Sequence, residues 1–444
     1  MRNTVVCRNK SVGKHVVVVG GGLAGLAASI YLARGGCTVT LFEKRRSLGG
    51  RAVTTLRYGY RFNLGPHSFY RFGAGAAVYR ELGIPIRGAM PKRVALALTG
   101  DEQFRLPLGI WSLLTTSLLP FRGKRELASA LFHIRRHGGT RAGEGTLSQW
   151  LDDRLTDARA RQVLEALIRQ ATYADYASEQ SAAAALSQMK VAMRGALYID
   201  EGWQKIVDSL HSAAISSGVN FVSSSRIVGI QHDGAVQAVE LGGLEVDADR
   251  MDTQAIAFPE MRPEDVDGAR LPAQHVVLAV DPITAAELVG DAGASWAAAR
   301  PVTAACLDVA LRTLPNPRAL QALGIDQPTL LAVHSAYAQL TPKGGALIHV
   351  ARYQNGQATG GEEAELETLL DRLQPGWREA LVHRRFLPSM TVSNALTTPG
   401  TKRPSPQTNI RGLYLAGDWV GDEGMLSDAA LSSARAAAKA ILAD

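Results

Sequence analysis

The chain has 444 residues, 46% hydrophobic and 20% charged, a balance that excludes a largely disordered protein and a length that suits two joined domains. Lysine and arginine outnumber aspartate and glutamate 48 to 41; the resulting +7 suits an anionic membrane surface or an acidic ligand, but without zinc-finger spacing, an aromatic RNA-binding motif or a long basic arm it does not point to nucleic acid. Cys7, Cys37 and Cys306 are far apart and form no C-x-x-C, so neither a disulfide framework nor a metal site is expected.

The first fourteen residues, MRNTVVCRNKSVGK, lack the apolar core of a secretory signal and read as a loose arm, which makes the cytoplasm the expected location. The uncharged run 16–33 approaches the length of a membrane span, about 20 residues. Four consecutive valines nevertheless favour a strand, and Gly20, Gly21 and Gly22 would interrupt a helix. The run is better cut into a buried strand, a glycine turn and an Ala- and Leu-rich helix. Gly20, Gly22 and Gly25 then form G-x-G-x-x-G: a tight turn, a close approach for a pyrophosphate, and close packing of helix on strand. Leu23 and Ala24 sit in the first helical turn, where amides and the macrodipole favour phosphate. A second strand, 38–42, ends in Glu43, whose carboxylate can accept both hydroxyls of an adenosine ribose and would repel a 2′-phosphate. FAD or NAD fits; NADP does not.

LFEKRRSLGGRA resembles the stretch after the second strand in the FAD-dependent amine oxidase, phytoene desaturase and protoporphyrinogen oxidase superfamily. The resemblance implies FAD, with Gly49, Gly50, Arg51 and Ala52 contacting its pyrophosphate and ribityl chain. Thr54 keeps a family hydroxyl, whereas Ser47 stands where arginine is frequent. Lys44, counted with the cofactor set, reads with Arg45 and Arg46 either as phosphate-neutralising or as a solvated turn. LRYGYRFN alternates as a strand or hairpin should, and leads into LGPHSF. In the superfamily such a segment passes beneath the flavin, which assigns Gly65 and Pro66 to the cofactor and makes His67 the catalytic candidate; an acid is usual where Asn63 stands.

From 76 to 199 the pattern is mostly helical, with amphipathic stretches such as SQWLDDRLTDARARQVLEALIRQA. Within it, residues 104–127 carry Trp111 and leucines ahead of Arg122, Lys124 and Arg125, and read equally as an interfacial membrane segment or a buried helix. His133 and His137 share a helical spacing, but flanking arginines favour a solvated basic face over a metal site. A helix and two strands are expected between Trp203 and Gln231, with Ile227 at the position whose backbone meets the adenine in the superfamily. VVLAVDP reads as a further strand of the nucleotide sheet, preceded by an unassigned insertion at 250–270. Residues 283–407 mix strands, such as VTAACLDVAL and ALIHVARY, with the helix EEAELETLLDRL.

The chain closes with GLYLAGDWVGDEGMLSDAALSSARAAAKAIL, which again resembles the superfamily: strand, Ala-Gly-Asp, loop, Ala-rich helix. The resemblance places Gly417 and Asp418 at the ribityl and pyrophosphate region, and Asp428, Ala430 and Leu431 at a helix N-terminus facing the flavin pyrimidine edge. The implied fold class is α/β: a Rossmann-type FAD-binding domain from 1–75, 203–282 and 408–444, and a mixed α+β substrate domain from 76–202 and 283–407. The implied activity is an FAD-dependent oxidoreductase that dehydrogenates a lipophilic small molecule by hydride transfer to flavin N5, with oxygen or a quinone as acceptor. A flavin-dependent isomerase and a non-enzymatic lipid carrier remain open alternatives.

Overall fold

The computed structural model describes residues 13–244, 268–356 and 360–444. The run that opens the nucleotide motif is divided as expected: strand His15–Val19, turn, then helix Leu23–Arg34. Alternation along this strand sends Val16 and Val18 into one core and Val17 and Val19 into another, which is why all four positions are apolar.

It is the middle strand of a five-stranded parallel sheet ordered Asn220–Val222, Thr38–Phe42, His15–Val19, His275–Leu278, Leu413–Leu415. In chain order that is 3-2-1-4-5, the doubly-wound arrangement whose ligands sit beyond the carboxyl ends of the strands. Helices Leu23–Arg34, Gln204–Ser216 and Leu426–Ala443 cover one face, burying Leu26, Ile30, Leu210, Leu431 and Ile441. The other face packs on helix Pro282–Val289 and on the three-stranded antiparallel sheet containing Ser225–His232, with Ile227, Val239 and Trp419 buried between them.

A second, seven-stranded sheet is ordered Leu381–Ser393, Val302–Leu311, Ala346–Gln354, Thr329–Val333, Gln321–Gly324, Leu96–Thr99, Glu102–Arg105. All neighbours are antiparallel except Leu96–Thr99 beside Gln321–Gly324. Helix Glu362–Leu373 packs on it through Leu366, Leu370 and Leu373. The helices of residues 110–192 make a separate core around Leu127, Trp150, Leu164 and Leu186.

The stretch 76–199, expected to be mostly helical, holds six helices and also strands: Leu96–Thr99 and Glu102–Arg105 form a hairpin that joins the large sheet, because Leu96, Ala97 and Leu98 pair with Ala322, Leu323 and Gly324. The amphipathic stretch that follows is two helices, Leu147–Asp152 and Ala158–Thr172. The break comes at Asp157, whose side chain accepts from Ala160 N at 2.8 Å and starts the second helix. The hairpin expected from LRYGYRFN is present as Thr54–Arg57 and Tyr60–Asn63. The insertion expected at 250–270 lies outside the described residues except for Gly268, Ala269 and Arg270, and so does Cys7. Asp157→Ala should lower unfolding free energy by about 1 kcal/mol, read as a lower urea midpoint at unchanged slope.

Candidate functional site

The three motif glycines each meet a different constraint. Gly20 has φ +107°, and a Cβ there would lie 2.6 Å from the Ala279 carbonyl oxygen. A Cβ on Gly25 would overlap the Gly20 carbonyl oxygen, so only glycine lets the helix lie this close to the strand. Gly22 faces nothing within 4 Å: it is the helix N-cap, and its side-chain position is open space. No side chain caps this helix and its first turn, which holds Leu23 and Ala24, carries no acid. The orphan amides and the positive end of the dipole are left to a ligand.

Glu43, at the tip of the second strand, is buried, and its two oxygens accept from Gly21 N at 2.7 Å and Arg45 N at 2.9 Å. Two acceptor sites on the carboxylate are thereby used and the others remain. Ser225 N donates to the Glu43 carbonyl at 3.0 Å, which brings the strand bearing Ile227 beside the same corner. Ser225 Oγ is buried with no partner there.

Gly49 donates its N–H to the Gly21 carbonyl at 2.8 Å and bridges to Gly22, and Gly50–Ala52 is a 3₁₀ turn. That turn aims Arg51 at Asp418, 2.8 Å away and also bonded by Asn394 through its backbone N at 3.0 Å and Nδ2 at 2.9 Å. Burial raises the Asp418 carboxyl, but Arg51 and Asn394 together hold it below the usual range. Gly417 is tied to Ser433 Oγ through both its N–H and its carbonyl, at 2.9 Å each. Lys44 is exposed on the outer turn. Asn394 and Ser433 were not among the sequence-predicted residues; the serine lay within the resembling DAALSSA stretch, whereas Asn394 carried no local signal.

Gly65 adopts φ +75°, and a Cβ on it would meet Met390 Sδ at 2.5 Å. Tyr173 donates to the Pro66 carbonyl at 3.0 Å, holding the turn. His67 Nδ1 is 3.1 Å from the Gly65 carbonyl, and its ring lies edge-on to Trp203 at 4.9 Å. The carbonyl can only accept, so Nδ1 donates and Nε2 is left as an acceptor. Burial pushes the His67 pKa down to about 4 against that bond. Asn63, where the superfamily often has an acid, works as an acceptor: its Oδ1 takes hydrogen bonds from Thr54 Oγ1 at 2.7 Å and Trp203 N at 3.0 Å.

At the start of the last helix, Leu431 is buried, Ala430 half-buried and Asp428 buried with Oδ1 accepting from Gly75 N at 2.8 Å. Burial pushes the Asp428 carboxyl up to about 7, against the Gly75 bond that favours its charged form. The structure thus gathers the motif glycines, Glu43, Gly49 to Ala52, Gly417 and Asp418 at the carboxyl ends of the parallel strands. Two cavities, of about 430 and 310 Å³, open instead on either side of Arg403, and none of the sequence-predicted residues lines them.

Residues 18–82 match the model of the NAD(P)-binding Rossmann-like domain family. The carotenoid 3,4-desaturase of Haloarcula japonica is 52% identical over 54 residues, 12% of this chain and 11% of that protein. The coproporphyrinogen III oxidase of Propionibacterium freudenreichii is 35% identical over 111 residues, 24% of this chain and 21% of that protein. The matches therefore span well under two thirds of either relative. An oxidoreductase from Methanosarcina mazei shares the fold over 97% of this chain and 100% of its own, with a TM-score of 0.74 at 16% identity.

Asp428 supplies a pH test. With a folded pKa raised from 3.8 to about 7, its contribution to stability is full below about pH 4, declines as pH rises, and is gone above about pH 7. Asp428→Asn should match the parent at pH 4 and exceed it at pH 8 by on the order of 2–4 kcal/mol in chemical denaturation.

The chain carries an NAD(P)-binding Rossmann-like domain at residues 18–82; part of its sequence is similar to a carotenoid 3,4-desaturase and a coproporphyrinogen III oxidase, and 97% of it shares the fold of an oxidoreductase of known structure.

Proposed function

We propose that this protein is an FAD-dependent oxidoreductase that dehydrogenates a lipophilic small molecule. The observation that carries the reading is the open space at Gly22, bounded by an uncapped helix N-terminus and the buried Glu43 carboxylate. A pyrophosphate fits the first and an adenosine ribose the second, whereas a 2′-phosphate would be repelled. The cradle continues through Gly49 and Gly50 to Arg51 and Asp418, which would hold the second phosphate and the ribityl chain. Bound there, FAD would supply the capacity to accept a hydride.

This chain's own residues do the rest. Gly65 and Pro66 bring backbone close beneath the ring position without a side chain at Gly65. His67 Nε2 offers an acceptor at that position, and Trp203 packs against the imidazole and restrains it. Asp428, uncharged at mildly acid pH, leaves the last helix's N-terminal amides free to stabilise negative charge. Oxygen or a quinone is the acceptor proposed, since the sequence has one G-x-G-x-x-G only.

The lipophilic substrate is supported by the relatives' names and by one surface. Ile110, Trp111, Leu114 and Phe121 are 80%, 78%, 60% and 83% exposed on helix Ile110–Thr115 and the start of Phe121–His137. Arg125 and Lys124 stand beside them, and Arg122 is neutralised by Glu126 at 2.9 Å. Apolar side chains rimmed by cations suit the interface of an anionic bilayer. No helix among the described residues is long and apolar enough to cross a membrane.

The purified protein should show visible flavin absorbance, and Glu43→Ala should weaken FAD binding about tenfold or more in titrations of the stripped protein. Protein that stays colourless with added FAD overturns the reading. Separately, Trp111→Ser with Phe121→Ser should lower partitioning onto anionic vesicles at least several-fold in flotation while leaving FAD affinity unchanged.

A further inference from the structure

The large sheet carries a buried polar array that the reading above leaves unused. Asp308, on Val302–Leu311, and His349, on Ala346–Gln354, are both 0% exposed and face each other across paired strands. His349 Nδ1 lies 2.5 Å from Asp308 Oδ1. Arg385 grips the other oxygen, Oδ2, through Nε at 3.2 Å and through a terminal nitrogen that also donates to Asp308, and it reaches the Asn63 carbonyl. Cys306 Sγ donates to Asp308 Oδ1 at 3.1 Å. Burial raises the Asp308 carboxyl, yet His349 and Arg385 outweigh it and hold the group ionised.

One atom of this array has no partner: His349 Nε2, fully enclosed in protein. Leaving a buried ring nitrogen unpaired costs free energy, and so does burying the ion pair that orients it. A hydrophobic residue at 349 would avoid the first of these costs.

The array adjoins the proposed cofactor position. Gly65 packs against Cys306 and Met390, so a Cβ there would be 3.5 Å from Cys306 Sγ. His67 lies within electrostatic range of Arg51, His349 and Asp308. His67 and Met390 are half-buried, whereas Cys306, Asp308 and His349 are fully buried. The His334 ring stands edge-on to His349 at 4.4 Å and stacks on Tyr198, whose hydroxyl accepts from Gln321 at 3.0 Å.

Cys306, Asp308 and His349 also have the ligand types and spacing of a cation site. Arg385 already supplies the positive partner of Asp308, and the imidazole nitrogen nearest that carboxylate is committed to it, so a metal would displace two existing bonds.

We propose that the substrate is a lipophilic alcohol rather than a bare hydrocarbon, and that the side chains enclosing His349 Nε2 part to let its hydroxyl dock there, with Asp308 and Arg385 as positioning residues. This rests on the oxidoreductase reading above. A hydroxyl both donates and accepts, so it meets Nε2 whether or not that nitrogen carries a proton. An ammonium group is less suited, since Asp308, the carboxylate of this array, is already paired with a guanidinium. A hydrocarbon would leave Nε2 unpaired.

The test uses geraniol and myrcene, ten-carbon terpenes that differ chiefly by the hydroxyl, as probes of the FAD-loaded protein. Flavin absorbance reports cofactor retention, and its perturbation reports binding. Geraniol should bind about tenfold more tightly than myrcene, and His349→Phe should erase the preference without weakening myrcene. In parallel, ¹⁵N-histidine spectra of the unsubstituted protein without FAD should show the His349 Nε2 resonance moving with geraniol and not with myrcene, which needs neither a variant nor the cofactor. Equal affinities, no binding of geraniol, or an Nε2 resonance indifferent to it overturns the proposal. A protein that never takes up FAD yet shows the Nε2 shift would sink the oxidoreductase reading and leave the hydroxyl site standing.

Discussion

The contact on which the molecule depends is the approach of helix Leu23–Arg34 to the sheet at Gly25, where any side chain would overlap the carbonyl of Gly20. Close approach sets the helix axis so that its first turn opens over the end of strand His15–Val19. The same turn places Gly21 N against Glu43 and the Gly21 carbonyl against Gly49. A displacement of the helix by the width of one methyl group would disturb both, because each is a direct bond to the same short loop. The glycines matter less as a sequence signature than as the absence of three Cβ atoms at the junction of strand, helix and the 49–52 turn.

Much of that corner was legible because its causes are local. Four valines followed by three glycines and an alanine-rich run can hardly be arranged otherwise than as strand, turn and helix, and Glu43 follows on the next strand. The hairpin at Leu96–Thr99 and Glu102–Arg105 was not legible. Its strand character depends on pairing with Gln321–Gly324, more than two hundred residues away, and nothing in its own composition announces that partner. The break before Ala158 had a local signal in Asp157, a preferred N-cap residue, which the continuous amphipathic pattern masked.

The buried array shows the same limit at the level of chemistry. Asp308 sits mid-strand in VTAACLDVAL and His349 in ALIHVARY, each an isolated polar residue in an apolar run. Only the antiparallel register that sets 308 opposite 349, with 385 opposite 308 on the other side, turns three scattered residues into one unit. Conversely, Asn63 departs from the superfamily's usual acid without loss of its bonds to Thr54 and Trp203, since both partners are donors and an amide oxygen serves them.

The link between Arg51 and Asp418 has a bearing on biosynthesis. It joins the Gly50–Ala52 turn to a residue delivered only after the edge strand Leu413–Leu415 has docked, and Ser433 then locks Gly417 from within the last helix. A nascent polypeptide interrupted before residue 413 would hold the glycine loop but lack the wall that closes the groove behind Arg51. Closure of that groove is therefore a late event in synthesis, completed only after residues 413–433 have been added.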